Sequence, residues 1–110
     1  MFYYASETIN GVANSVVYGD GLTSTEVSRK KVKSIMAVVN SRADNYMELW
    51  LEKELVARIH DSNLNLTTDL CKYEIELDLE IPVGQTLTPA IRCGATATNL
   101  ILVYKYEEIT

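Results

Sequence analysis

From Lys72 to Ile81 the chain alternates: Tyr73, Ile75, Leu77, Leu79 and Ile81 are apolar, and Lys72, Glu74, Glu76, Asp78 and Glu80 between them are charged. Successive side chains of a strand point to opposite faces, so this period of two predicts a long strand with one face on a core. Its other face carries a ladder of four carboxylates. A helix would scatter both sets around its axis.

The same alternation and the turn residues between runs predict the remaining elements. Val12 to Tyr18 is a short β-rich run bounded by Gly11 and the Gly19-Asp20-Gly21 turn, and Lys30 to Val39 is dense in β-branched residues. Tyr46 to His60 reads in two ways. As a helix it has Asn45 as N-cap, Glu48 three residues on, and Met47, Leu51, Leu55 and Ile59 at every fourth position. As two strands it alternates Met47, Leu49 and Leu51, turns at Glu52 to Glu54, and alternates Leu55, Ala57 and Ile59. The alternation on both sides of the turn favours the strands. Asp61 to Leu70 reads as a loop. Pro82 to Gln85 is a turn, and Leu87 to Cys93 is a strand that Pro89 marks as an edge or a bulge. Gly94 to Thr98 is a loop. Asn99 to Glu107 closes the chain, with Leu100, Leu102, Tyr104 and Tyr106 on one face and Ile101 and Val103 on the other; a strand apolar on both faces is central or is covered by another subunit.

Seven or eight short strands separated by turns predict an all-β fold, an antiparallel β-sandwich with jelly-roll-like connections and at most one short helix. The 110 residues make one domain, 1–110. An immunoglobulin domain would place Trp50 between the two cysteines, and it precedes both Cys71 and Cys93. A hairpin through Pro82 to Gln85 would set residue 81 against 86 and 71 against 96. Cys93 would then lie on the order of 10 Å from Cys71, so both thiols are expected to be free.

Composition narrows the partners. A net charge of −5 disfavours a nucleic-acid backbone, and no apolar run is long enough for a membrane span. The opening MFYYASETING lacks a basic region followed by an apolar one, so a cytoplasmic location is expected unless the protein belongs to a virion.

No cofactor or catalytic set emerges. His60 is the only histidine, and three consecutive residues, His60-Asp61-Ser62, do not converge as nucleophile, base and orienter. With two cysteines and one histidine there is no zinc set. Carboxylates on one strand face stand ~6.6 Å apart, so the ladder would need Asp69 or a carbonyl to close a calcium shell. Asn65-Leu66-Thr67 matches a glycosylation triplet, without a signal peptide to support it. The charges instead suggest an interface: Arg29, Lys31 and Lys33 oppose Glu74, Glu76, Asp78 and Glu80 in sign, and Tyr104 and Tyr106 add amphipathic rings.

From Ile81 onward, IPVGQTLTPAIRCGATATNLILVYKYEE, the order of turn, strand, small-residue loop and closing tyrosine-rich strand resembles small single jelly-roll proteins of virus particles. The resemblance covers about a quarter of the chain. It implies a structural subunit of a shell that assembles with copies of itself and with other shell proteins, with no catalytic residues. The alternative is a carbohydrate-binding sandwich that takes glycans through its tyrosines and the ladder, with calcium assisting.

Overall fold

The computed structural model describes residues 1–70 and 72–109, and over these the chain folds into two facing β-sheets. Ten strands run in the order β1 (Tyr3–Asn10), β2 (Val16–Tyr18), β3 (Leu22–Thr23), β4 (Arg29–Val39), β5 (Tyr46–Leu51), β6 (Glu54–His60), β7 (Asn65–Leu66), β8 (Ile75–Ile81), β9 (Thr86–Arg92) and β10 (Asn99–Ile109). A single 3₁₀ turn, Asp61–Asn63, is the helical element among the described residues. Tyr46 to His60 is therefore a hairpin of two strands.

The first sheet has the order β1, β10, β4, and then β8 and β7 share the far side of β4: β8 lies along Lys30–Ile35 and β7 along Val38–Val39. In the second sheet, β9 lies between β5 and the pair β2 and β3, with β6 outside β5. β2 and β3 are halves of one edge, broken at Gly19 to Gly21. Gly21 adopts φ +78, and a Cβ there would sit 2.1 Å from the Leu87 carbonyl oxygen, so no larger residue fits this corner.

The inward faces close one core. Leu100, Leu102 and Tyr104 of β10 and Val32, Ile35 and Val39 of β4 meet Met47 and Leu49 of β5 and Leu87 and Ile91 of β9. All of these side chains are removed from water, which is the dominant favourable contribution to the fold. β10, apolar on both faces, is flanked on both sides, by β1 and β4.

Several expectations need correction. Residues 81 and 86 do not pair. Pro82 to Gln85 still turns, with Gln85 N–H donating to the Pro82 carbonyl at 3.0 Å, but the turn carries the chain from one sheet to the other. The distance argument for the cysteines fails with that hairpin. Cys93 is nevertheless a buried free thiol, while Cys71 lies outside the described residues. The acidic strand begins at Ile75 rather than Lys72, which leaves Tyr73 exposed, and Ile75, Leu77 and Leu79 are half-buried because β8 lies at the sheet margin. β9 is not an edge. Pro89 is tolerated because its backbone faces the break between β2 and β3, where its carbonyl accepts the Gly19 N–H at 2.8 Å. Finally, Val12 to Ser15 is not strand, and Tyr3–Asn10, which carried no clear alternation, is.

Candidate functional site

The outer face of the first sheet gathers the charged strips, and it does so within one chain. β4 and β8 are antiparallel neighbours, with Lys31 opposite Glu80 and Val32 opposite Leu79. Arg29 reaches Glu80 at 3.4 Å, Lys31 and Lys33 reach Asp78 at 3.3 and 3.1 Å, and Lys33 also reaches Glu107 at 3.5 Å. The hydrogen bond to Asp78 raises the Lys33 pKa, and the bonds from Lys33 and Lys31 lower that of Asp78. Glu74 accepts from the Ser34 hydroxyl at 2.8 Å, and exposed Glu76 lies opposite Ser34. Asp78 adopts φ +51 where β4 has an irregularity at Lys33, so the ladder is kinked.

These pairs are exposed and each contributes little. Reversing Glu76 and Asp78 to lysine places like charges beside Lys31 and Lys33. It should therefore lower the melting midpoint while leaving the mass in solution unchanged, and added salt should shrink the difference. Circular dichroism melting and light scattering on the one double variant check both halves. A changed mass with an unchanged midpoint would show that the strips act between subunits.

Of the two tyrosines, Tyr104 is in the core. Its hydroxyl donates to Glu7 at 2.8 Å, and burial, followed by this bond, pushes its pKa far above the usual phenol range. The Glu7 carboxylate also accepts the backbone N–H groups of Asp20 and Gly21, at 2.8 and 3.1 Å, which ties β1 to the corner between β2 and β3. Tyr106 lies nearer the surface and stacks on Tyr3 with ring centroids 5.6 Å apart.

The outer face of the second sheet holds a cluster that the alternation did not reveal. Glu48 of β5 points away from the core, yet its side chain is 0% exposed. Arg58 of β6 donates to Oε2 from Nε at 2.8 Å, Arg92 of β9 from Nε at 3.0 Å, and the Trp50 indole N–H to Oε1 at 3.3 Å. Burial opposes ionisation, but the bonds from Arg92, Arg58 and Trp50 outweigh it and hold the Glu48 pKa below the usual carboxylate value. Bonding to Glu48 raises that of Arg92 in turn. Arg58 also lies 5.9 Å from the centre of the Tyr46 ring. Beside this cluster, Tyr18, Trp50, Glu52, Lys53 and Thr88 line an open cavity of about 360 Å³.

Three other candidates become structural. His60 Nε2 lies 2.8 Å from Asp44 and Nδ1 lies 2.9 Å from the Ser62 hydroxyl, but Nδ1 also accepts the Ser62 N–H and so caps the 3₁₀ turn. Buried Asn65 spends its amide on the Ala37 and Tyr73 carbonyls and on the Tyr73 N–H, which withdraws the glycosylation triplet from solvent. Asp69 accepts the Leu66 N–H at 2.8 Å within its own turn. Among the described residues, no group of three or more histidines, cysteines and carboxylates is placed to hold a metal ion, and no helix is long and apolar enough to cross a membrane. No family model matches the chain, and no curated protein matches it in sequence.

Proposed function

We propose that this protein is a non-enzymatic structural subunit: a single jelly roll that assembles with copies of itself in a virion or comparable shell. The strand order supports the jelly-roll reading. The first strand lies beside the last, the sheets read β1, β10, β4, β8 and β2/β3, β9, β5, β6, and the chain passes between sheets at β1 to β2, β3 to β4, β4 to β5, β6 to β7, β8 to β9 and β9 to β10. Such double-sheet rolls serve as capsid and lectin domains.

The observation that carries self-association is the edge of β1. Unpaired strand edges recruit other chains unless they are interrupted, bulged or charged. β2 and β3 are interrupted at a glycine corner, β6 contains a bulge and Arg58, and β8 carries three carboxylates and the positive φ of Asp78. β1 is neither interrupted nor bulged, and none of its outward side chains, Tyr4, Ser6, Thr8 and Asn10, is charged. Its eight residues pair with β10 without a register shift, and among the described residues nothing pairs with its other side. Its one charge, Glu7, is turned inward. Beside this edge, on the outer face, Ile101 is 41% exposed and Tyr4 66%. A second copy related by a two-fold axis would pair β1 with β1 and extend the sheet across the boundary.

Lysine at Ser6 and Thr8, the outward positions of β1, should block that pairing and leave the fold intact. Sedimentation is expected to show an assembly for the native chain and a monomer for the double variant, with identical circular dichroism. A native chain that is monomeric at high concentration, or a variant that keeps its mass, overturns the assignment.

A further inference from the structure

We propose that the cavity beside Trp50 is a binding site for a neutral pyranose sugar, independent of self-association through β1. The walls define the ligand. Tyr18, 56% exposed on β2, and half-buried Trp50 on β5 offer aromatic surface, while Glu52, Lys53 and Thr88 offer donors and acceptors. An apolar ligand would strip water from Glu52 and Lys53 without replacing their hydrogen bonds. A simple anion would meet Glu52 and a simple cation Lys53, so the paired charges favour a neutral, polyhydroxylated partner. A pyranose has an apolar C–H face for the rings and a rim of hydroxyls for the three polar side chains. The volume of about 360 Å³ is at the small end of ligand sites, which suits one sugar or a short oligosaccharide.

The site is built before the ligand arrives. Trp50 cannot swing freely, because its indole N–H is held by Glu48, and Glu48 is held by two guanidinium groups. Thr88 is the direct register partner of Trp50 on β9, which places both on the same face. Glu52 is fixed at φ +54, a left-handed position that glycine or asparagine would occupy more easily, and its N–H donates to the Thr86 carbonyl at 3.1 Å. Non-glycine residues kept in such positions concentrate at binding sites. Glu52 and Lys53 therefore project from a rigid hairpin turn beside the rings. Little ordering is needed on binding, and a single sugar should bind with a millimolar dissociation constant.

Trp50 is the only tryptophan, so its fluorescence reads the site directly. The native chain is titrated with methyl glucoside, methyl galactoside, methyl mannoside and N-acetylglucosamine at millimolar concentrations, and with glucose 6-sulfate as a charged probe. At least one neutral sugar should give a saturable change. Glu52→Ala and Thr88→Val, both at the surface of the sheet, should each weaken it by about tenfold while circular dichroism is unchanged. Three results overturn the inference. They are no saturable change with any neutral sugar, a change that both substitutions leave intact, and a response to the sulfated sugar alone, which would assign recognition to the Lys53 ammonium.

Discussion

Leu102→Ala should lower the free energy of unfolding by about 2–5 kcal/mol, because the side chain is fully buried at the centre of β10 and faces the opposite sheet. The cost has two parts: the lost transfer of apolar atoms from water, and a cavity that neighbours on two sheets cannot collapse into. β10 is held by ladders on both sides, from Asn99 to Tyr106 against β1 and from Leu100 to Ile109 against β4, so its backbone has little freedom to shift. Leu77→Ala, on the margin strand β8, should cost only about 1 kcal/mol, since that side chain is already half in water. Urea denaturation of both variants measures the contrast. Equal losses would mean that β8 is buried to the same depth as β10, contrary to the position of the acidic strand at the edge of the first sheet.

That contrast shows what alternation can and cannot reveal. Period two identified the inward residues of β8 and β10 correctly, because a strand with one face on a core has no other stable pattern. Depth is another matter. Leu77 and Leu102 are the same residue in the same pattern, and only the neighbours on either side decide how much water each sees. Sheet membership was also hidden. A proline and a glycine between two strands suit a hairpin and an inter-sheet corner equally, and the corner forms here because β8 pairs with β4, some 45 residues earlier along the chain. β1 lacks a clear alternation because its inward positions hold Ala5 and Glu7 between Tyr3 and Ile9. Glu7 is acceptable there only because Tyr104 and two backbone N–H groups, all distant in sequence, satisfy its carboxylate. The same is true of the Glu48 cluster. A regular hairpin turning at Glu52 and Lys53 would put Glu48 opposite Ala57. The register shift that skips Val56 brings Arg58 there instead, and nothing local in the sequence signals it.

Glu48→Gln should remove stability in a way that depends on pH, and this isolates the buried carboxylate from every other acid in the chain. Native Glu48 has a folded pKa below its ordinary value of 4.5, so it binds protons more readily unfolded than folded. Its contribution is fully present above about 4.5 and is lost as the pH falls through the lower folded value. Glutamine keeps one carbonyl acceptor for Trp50 or an arginine but brings an amide donor towards guanidinium groups that also donate. Hydrogen bonds to a charged acceptor contribute roughly 1.5–3 kcal/mol each, and the half-exposed arginines recover some of that loss from water, so a net cost of about 2 kcal/mol is expected at neutral pH. The melting midpoints of the native and variant chains should therefore be well separated at pH 7 and converge on acidification. Subtracting one curve from the other cancels the common titration of Asp78 and the remaining carboxylates. A separation that stays constant down to acid pH would show that Glu48 contributes through packing rather than charge. A separation that grows on acidification would mean that the buried group is protonated in the folded state, and the two arginines would then not be its ion-pair partners.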